Sequence, residues 1–295
     1  MAVVIEAMDV QSFSRDSSQA WIAPAKINLF LHIVGKRADG YHILQTIFQL
    51  LNYGDELKFT LNQQGSIQRD YDLGFDQQSD LCLRAAKLIK LYAKSSSGVT
   101  IHLDKRLPMG GGLGGGSSDA ATVLIALNFL WDIGLRRDKL AELGLSLGAD
   151  VPVFVMGHSA WAEGVGELLT PLELPEKWFL VLNPSICVST AKVFANKRLT
   201  PRPEMMRIRA FRKASKTHFG DNHLEPIVRA EYPEVEQLFR WLQSYGEPRM
   251  SGSGGAVFIP LPNQSVGLEL LAKKPSESTG FVAKGLNFHP LYGAF

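Results

Sequence analysis

Six glycines stand among the seven residues Gly110–Gly116, with Leu113 the exception, and Ser117 and Ser118 follow at once. Glycine reaches positive φ without strain and lets the backbone approach a ligand closely. Successive N–H groups can then converge on one anion. The apolar run Ala120, Val123, Leu124, Leu127 and Leu130 has helical spacing directly behind the loop. A nest at a helix start gains the positive end of that helix. The chemistry this predicts is phosphate gripping. Ser117 and Ser118 stand where N-cap hydroxyls belong, with Asp119 in the first turn. A flexible linker is the plainer alternative, but linkers rarely run straight into an apolar helix.

The loop is not a Walker motif, which ends in Gly-Lys-Ser/Thr; here Gly116 precedes Ser117. Gly110, Gly112 and Gly115 satisfy GxGxxG. A dinucleotide fold also wants an acidic residue about twenty positions on, at the end of a strand. Asp132 has that distance, but Trp131–Arg137 reads as a helix-ending loop. No HRD or DFG occurs, which removes protein kinases.

Other residues could do chemistry beside the loop. Asp150, in the tight Gly148–Pro152 turn, is a carboxylate with little freedom and could accept a proton; it could equally cap a turn. Lys26 lies between apolar Ala25 and Ile27, as an edge lysine or a paired charge. Asn28 shares its strand face. Tyr41 and His42 could stack on a flat base and bond its edge, or be ordinary strand surface.

These residues need elements to hold them. Alternating apolar residues predict strands over Trp21–Val34, Tyr41–Leu51 and Gly54–Leu61, the last opened by a Tyr53-Gly54-Asp55 turn. A helix is expected over Leu81–Ala93, a strand over Val99–Leu103, and helices over Ser117–Trp131 and Asp138–Leu147. Strands return at Ser159–Glu163, Glu167–Pro171 and Trp178–Asn183. Short helices follow at Val188–Ala195, Asn222–Val228 and Val235–Ser244, and Ala256–Leu261, Val266–Ala272 and Gly280–Gly285 read strand, helix, strand. A composition change near Gly157–Gly166 is the best domain boundary.

Composition removes several function classes. With 31 basic and 29 acidic residues the net charge is +2, so no global field recommends nucleic acid or an anionic membrane as partner. The basic cluster Arg202–Lys216, with Arg207, Arg209, Arg212, Lys213 and Lys216, reads as a solvated face. Cys82 and Cys187 offer no CxxC pattern, hence no disulfide framework or zinc site, which fits a reducing cytoplasm. No apolar stretch is long enough for a membrane span. Met1–Ala20 carries Glu6, Asp9 and Asp16 and reads as an extension rather than a targeting signal.

Three segments occur in order: Pro24–Leu29 (Pro-Ala-Lys-Ile-Asn-Leu), Leu107–Ser118, and Arg249–Phe258 (Arg-Met-Ser-Gly-Ser-Gly-Gly-Ala-Val-Phe). Together they resemble the three motifs of the GHMP kinases. Lys36–His42, Gly148–Pro152, Ala162–Gly166, Asp221–Leu224 and Phe281–Asn287 further resemble the branch that acts on a cytidine diphosphate-linked methylerythritol in non-mevalonate isoprenoid synthesis. The resemblance runs from Trp21 to Leu291.

It implies a two-domain α+β fold: an extension over 1–20, an ATP-binding domain over 21–163 with a left-handed crossover, and a ferredoxin-like substrate domain over 164–295. It implies ATP and Mg²⁺, and phosphorylation of the acceptor's 2-hydroxyl. Asp150 would be the general base and Lys26 its supporting cation. Lys105, Pro108, Met109, Gly110, Gly111, Gly112, Leu113, Gly114, Gly115, Gly116, Ser117 and Ser118 would hold ATP, with Asp80 and Leu81 near adenine. Asn28 would touch the polyol. Tyr41, His42, Thr190, Phe194, Gly252, Ser253 and Gly254 would bind the rest of the acceptor, and Ser118, or Ser117, would meet the metal. The rivals are another small-molecule kinase of the family, of homoserine or mevalonate type, and a nucleotide-binding regulator without turnover.

Overall fold

The computed structural model describes residues 19–202, 208 and 220–294. Two long strands, β1 (Trp21–Lys36) and β2 (His42–Asn62), pair antiparallel along nearly their whole length. One edge of β2 follows β1. Its other edge meets β5 (Ala160–Glu163) at Thr46–Phe48, β10 (Thr279–Leu286) at Leu50–Leu51, and β4 (Gly98–Asp104) at Glu56–Asn62. The sheet continues outward from β4 to β3 (Ile67–Arg69), and from β10 through β7 (Trp178–Asn183) and β9 (Val257–Leu261) to β8 (Arg249–Met250). The strand β6 (Leu168–Pro171) pairs with β5. Among the strands named here, β3 and β4 alone pair in parallel, and an isolated parallel bridge joins Leu31 to Asn222.

Helices cover the two ends of this sheet. Toward the N-terminal end lie α1 (Leu81–Lys90), α2 (Gly115–Leu130), α3 (Arg137–Leu145) and α4 (Val151–Met156). Toward the other end lie α5 (Thr190–Phe194), α6 (Glu225–Glu231), α7 (Pro233–Gln243) and α8 (Gln264–Ala272). Each end has its own apolar core, and a third cluster, with Ala25, Ile27, Phe179, Phe258 and Phe281, joins them. The middle of β1 is therefore covered on both faces, and Trp21–Phe30 are all buried. A strand so covered loses its polar alternation.

Three sequence expectations change. The two strands expected at Tyr41–Leu51 and Gly54–Leu61 are one strand, β2, with no turn at Tyr53-Gly54-Asp55. Gly54 faces Pro24, and a Cβ there would run into the Ala23 carbonyl; the glycine serves close approach of two strands, not a turn. Second, α2 starts at Gly115, with Gly114 at φ 74° as its cap and no side-chain capping bond. Ser117 and Ser118 therefore lie inside the first turn, where Ser118 N already donates to Gly114 O at 2.8 Å. Third, α2 is buried on every side rather than along one face, from Ser118 through Asn128. A helix apolar all round belongs in the middle of a core.

Of the basic cluster, Arg207, Arg209, Arg212, Lys213 and Lys216 lie outside the described residues, as do residues 1–18 of the extension. Among the described residues no helix is long and apolar enough to cross a membrane.

Candidate active site

A cleft of about 530 Å³ opens between the two ends of the sheet, a volume suited to a bound small molecule. Its floor is made where the two glycine-rich segments meet backbone to backbone. Ser251 Oγ donates to Gly112 O at 2.9 Å, and Ala256 N donates to Gly111 O at 3.1 Å. A Cβ on Gly112 would enter the Ser251 carbonyl, and one on Gly254 would enter the Gly111–Gly112 peptide. Lys26 N ties β1 to the same loop by donating to Leu113 O at 2.9 Å. The glycines thus do two things: they permit this packing, and they leave a concave run of backbone, Pro108–Ser117, facing the cleft.

Lys26 and Asp150 face each other at one side of that run, with Lys26 Nζ 3.2 Å from Asp150 Oδ2. Lys26 is 2% exposed, while the Asp150 side chain is 34% exposed and opens to the cleft. The ammonium also donates to Asn28 Oδ1 at 2.6 Å and stands 5.1 Å from the centre of the Phe48 ring. Asn28 in turn donates to Thr46 Oγ1 at 2.8 Å, and Thr46 Oγ1 donates to the Phe30 carbonyl. Alternation along β1 puts Lys26 and Asn28 on one face, and α4, beginning after Asp150, carries the carboxylate to them. The chain thus presents a partly exposed carboxylate steadied by a buried cation.

Farther along the loop, Lys105 Nζ bridges Asp55 Oδ2 at 2.6 Å and Asp119 Oδ2 at 2.7 Å. Burial opposes the Lys105 charge, and the two carboxylates outweigh it, holding the pKa above the ordinary lysine value. Burial likewise pushes Asp119 well above the usual carboxylate range against the pull of Lys105. Asp55 also anchors backbone. Its Oδ1 accepts from Arg106 N at 2.6 Å and Leu107 N at 2.7 Å, which fixes the chain as it enters the glycine loop. Asp119 Oδ1 has no partner among the described residues, nor has Ser118 Oγ. Asp119 and Ser117 line the cleft; Ser118 is fully buried and does not.

The Asp80 carboxylate is fully engaged. Oδ1 accepts from Cys82 N and Leu83 N as the cap of α1, and Oδ2 accepts from Arg69 Nη1 at 2.7 Å and Tyr71 Oη at 2.9 Å. Asp80 and Leu81 line the cleft beside Phe75, and the Asp80 backbone is engaged as well, its N–H donating to Gln77 O at 3.2 Å and its carbonyl accepting from Arg84 N at 3.0 Å. On the opposite wall Thr190 Oγ1 and Ser253 Oγ share a hydrogen bond of 2.8 Å, and Phe194 and Gly252 lie beside them. His42 and Tyr41 stand outside this lining. The His42 ring lies 5.5 Å from that of Phe194, and burial, then Lys36, lowers its pKa. Tyr41 is 66% exposed. Gly254 faces the glycine loop rather than the cleft.

Sequence reasoning missed Asp55, Asp119 and Ser251 as site residues. Asp55 stands in Tyr-Gly-Asp-Glu and Asp119 in Ser-Ser-Asp-Ala, so by local pattern the first reads as a turn residue and the second as a helix-end charge.

Residues 80–158 match the family model described as "GHMP kinases N terminal domain", and residues 202–273 match that described as "GHMP kinases C terminal". A 4-diphosphocytidyl-2-C-methyl-D-erythritol kinase of Thiobacillus denitrificans is 51% identical over 276 residues, covering 93% of this chain and 98% of that protein. One from Marinobacter nauticus is 50% identical over 273 residues, covering 92% and 95%. The crystal structure of a 4-(cytidine 5'-diphospho)-2C-methyl-D-erythritol kinase superposes with TM-score 0.80 at 32% identity, covering 90% of this chain and 99% of that one. The mevalonate kinase of Methanococcus jannaschii, at 17% identity and TM-score 0.63 over 93% of this chain and 100% of its own, shares the fold.

Proposed function

We propose a reaction for this cleft from one premise: the chain belongs to the 4-diphosphocytidyl-2-C-methyl-D-erythritol kinase family, within the GHMP kinases. It is an ATP-dependent kinase that phosphorylates 4-diphosphocytidyl-2-C-methyl-D-erythritol on the non-mevalonate route to isoprenoids. In our reading the acceptor atom is the 2-hydroxyl oxygen, and the products are the 2-phosphate and ADP.

Phosphoryl transfer asks a protein mainly for positioning and charge stabilisation. The run Met109–Ser117, leading into the N-terminal end of α2, offers its N–H groups and the positive helix end to the triphosphate. Asp150 takes the proton of the 2-hydroxyl as that oxygen bonds to the γ-phosphorus and the bond from γ-phosphorus to the β-bridging oxygen breaks. Lys26 fixes the orientation of Asp150 and offsets charge near the attacking oxygen. Asn28 orients the acceptor's hydroxyls, and Tyr41, His42 and Phe194 take the cytosine ring. Thr190 and Ser253 stand on the acceptor side.

Magnesium fits the donors present. Mg²⁺ in nucleotide sites is usually held by one or two carboxylates together with substrate phosphates. The unpartnered Asp119 Oδ1 is such a carboxylate oxygen, beside the unpaired Ser118 hydroxyl and the cleft-lining Ser117. A bound Mg²⁺ would offset phosphate charge, and Asp119, with a hydroxyl of the Ser117–Ser118 pair, would hold it. Among the described residues no cluster of three acidic, histidine or cysteine groups offers a metal site independent of phosphate.

The observation that carries this reading is the Lys26–Asp150 pair opening onto the glycine-lined cleft. A panel of acceptors, read by ADP release, tests it. Turnover is expected with the cytidyl alcohol and not with homoserine or mevalonate. Activity on homoserine or mevalonate without activity on the cytidyl alcohol would reject it.

A further inference from the structure

The segment Asp221–Leu224 takes no part in the chemistry above, yet it is built into the site. Leu31 N donates to Asp221 O at 3.0 Å and His223 N donates to Leu31 O at 2.8 Å, so the segment runs beside β1 just beyond Asn28. At its centre Asn222 is buried, 6% exposed. Its Oδ1 accepts from Leu224 N at 3.0 Å and closes a local turn. Its amide nitrogen reaches a distant part of the chain, donating to Met250 O at 3.1 Å and to Gly252 O at 2.7 Å. An aspartate would close the turn equally well. Only the amide can also donate to two carbonyls.

Those carbonyls belong to the acceptor wall of the cleft. Gly252 has φ 59°, and the place a side chain would take on it lies 3.2 Å from Asn28 Oδ1 and 3.4 Å from Lys26 Nζ. The turn is held on its other sides as well. Ser251 Oγ accepts from Asn28 N at 3.2 Å while donating to Gly112 O, and Ser253 Oγ meets Thr190 Oγ1. In a trans peptide the carbonyl and the following N–H point in opposite directions. With Gly252 O drawn to Asn222, Ser253 N–H points away from Asn222, and Ser253 is a residue of the cleft lining. No acceptor for that N–H occurs among the described residues.

We propose that Asn222 is a positioning residue for the acceptor: by holding the Gly252 carbonyl it aims the Ser253 amide hydrogen at the anionic diphosphate of the phosphoryl acceptor. The inference rests on the proposed acceptor carrying a diphosphate. A residue that only stabilised the fold would alter both substrates alike or neither, whereas this one acts on one side of the cleft.

The test compares Asn222→Asp, which keeps the turn and removes the donor, with Asn222→Ala, measuring kcat and KM for each substrate. For Asn222→Asp the KM of the cytidyl alcohol is expected to rise tenfold or more, while the KM of ATP stays within twofold. An unchanged acceptor KM, or equal rises in both, would overturn the proposal. Should both variants fail to fold, the wild-type protein labelled with ¹⁵N decides. Titration with cytidine 5'-diphosphate should move the Ser253 amide proton downfield, and an unmoved resonance at saturation overturns the inference. Absence of wild-type turnover with the cytidyl alcohol is a different failure, and it would remove the acceptor reading itself.

Discussion

Replacing Asp150 by Asn keeps the side chain's shape and removes its charge and its capacity to take a proton. At 3.2 Å the attraction to Lys26 is about 5 kcal/mol at an effective dielectric of 20. That is an upper figure, because the Asp150 side chain is 34% exposed and water screens the pair. The variant should fold, since Lys26 keeps its bond to Asn28 Oδ1. Loss of a general base lowers turnover by roughly 10²–10⁴, which is about 2.7–5.5 kcal/mol of barrier. Lys26→Met should fall in the same range, because a carboxylate without its cation loses orientation. Groups acting as a unit are not additive, so the double variant should be no slower than the slower single one. ADP release under saturating substrates gives kcat, and titration with ATP should give a Kd within threefold of wild type for Asp150→Asn. Turnover of Asp150→Asn within threefold of wild type would remove Asp150 from the mechanism. Losses that multiply in the double variant would show that the two residues act independently.

Two substitutions in the glycine segments should separate packing from ligand binding. Gly254→Ala places a methyl in the Gly111–Gly112 backbone and should cost about 1–3 kcal/mol as overpacking, seen as a lower Tm. In Gly116→Ala the nearest atom outside the loop is Leu81 Cδ1 at 3.6 Å, so Tm should hold while the KM of ATP rises; a matched fall in both Tm values would refute the distinction. His289 provides a pH test, since full burial, reinforced by Arg137, pushes its pKa down to about 3. The unfolded chain takes up that proton near pH 6.5, so this contribution is intact above 6.5 and is lost as pH falls from there toward 3, at a limiting slope of about 1.4 kcal/mol per pH unit. Urea midpoints between pH 7 and 5 should fall less steeply in His289→Gln; an equal slope would remove His289 as a source.

The order of strands and helices was legible because it is written locally, in alternation for β4, in a continuous apolar run for β7 and in helical spacing for α1. Contacts between distant segments were not. Gly54 resembles a turn glycine until β1 is laid beside it, and only then does it become the place where two backbones touch. The serines after the glycine loop match a cap by position, yet a glycine in the left-handed conformation can start the helix itself. No local pattern says that a strand lysine at 26 meets an aspartate at 150; that pairing was available only through resemblance to a family. Asp80 was expected beside adenine, and its carboxylate is spent on capping α1 and holding Arg69 and Tyr71. Asn222 lies within a segment that stands out in the sequence, but its reach to Gly252 depends on where the last third of the chain folds back.

The backbone contact between Gly111–Gly112 and Ser251–Ala256 joins stretches far apart in the chain. During synthesis the glycine loop therefore emerges long before the segment that completes it. Until residue 256 is in place, the Gly111 and Gly112 carbonyls lack their partners, and the Gly252 side of the cleft beside Lys26 and Asn28 is missing. In the proposed reading nucleotide binding is thus tied to completion of the whole fold, and a nascent or truncated chain that ends before that point would hold the motif without holding the ligand.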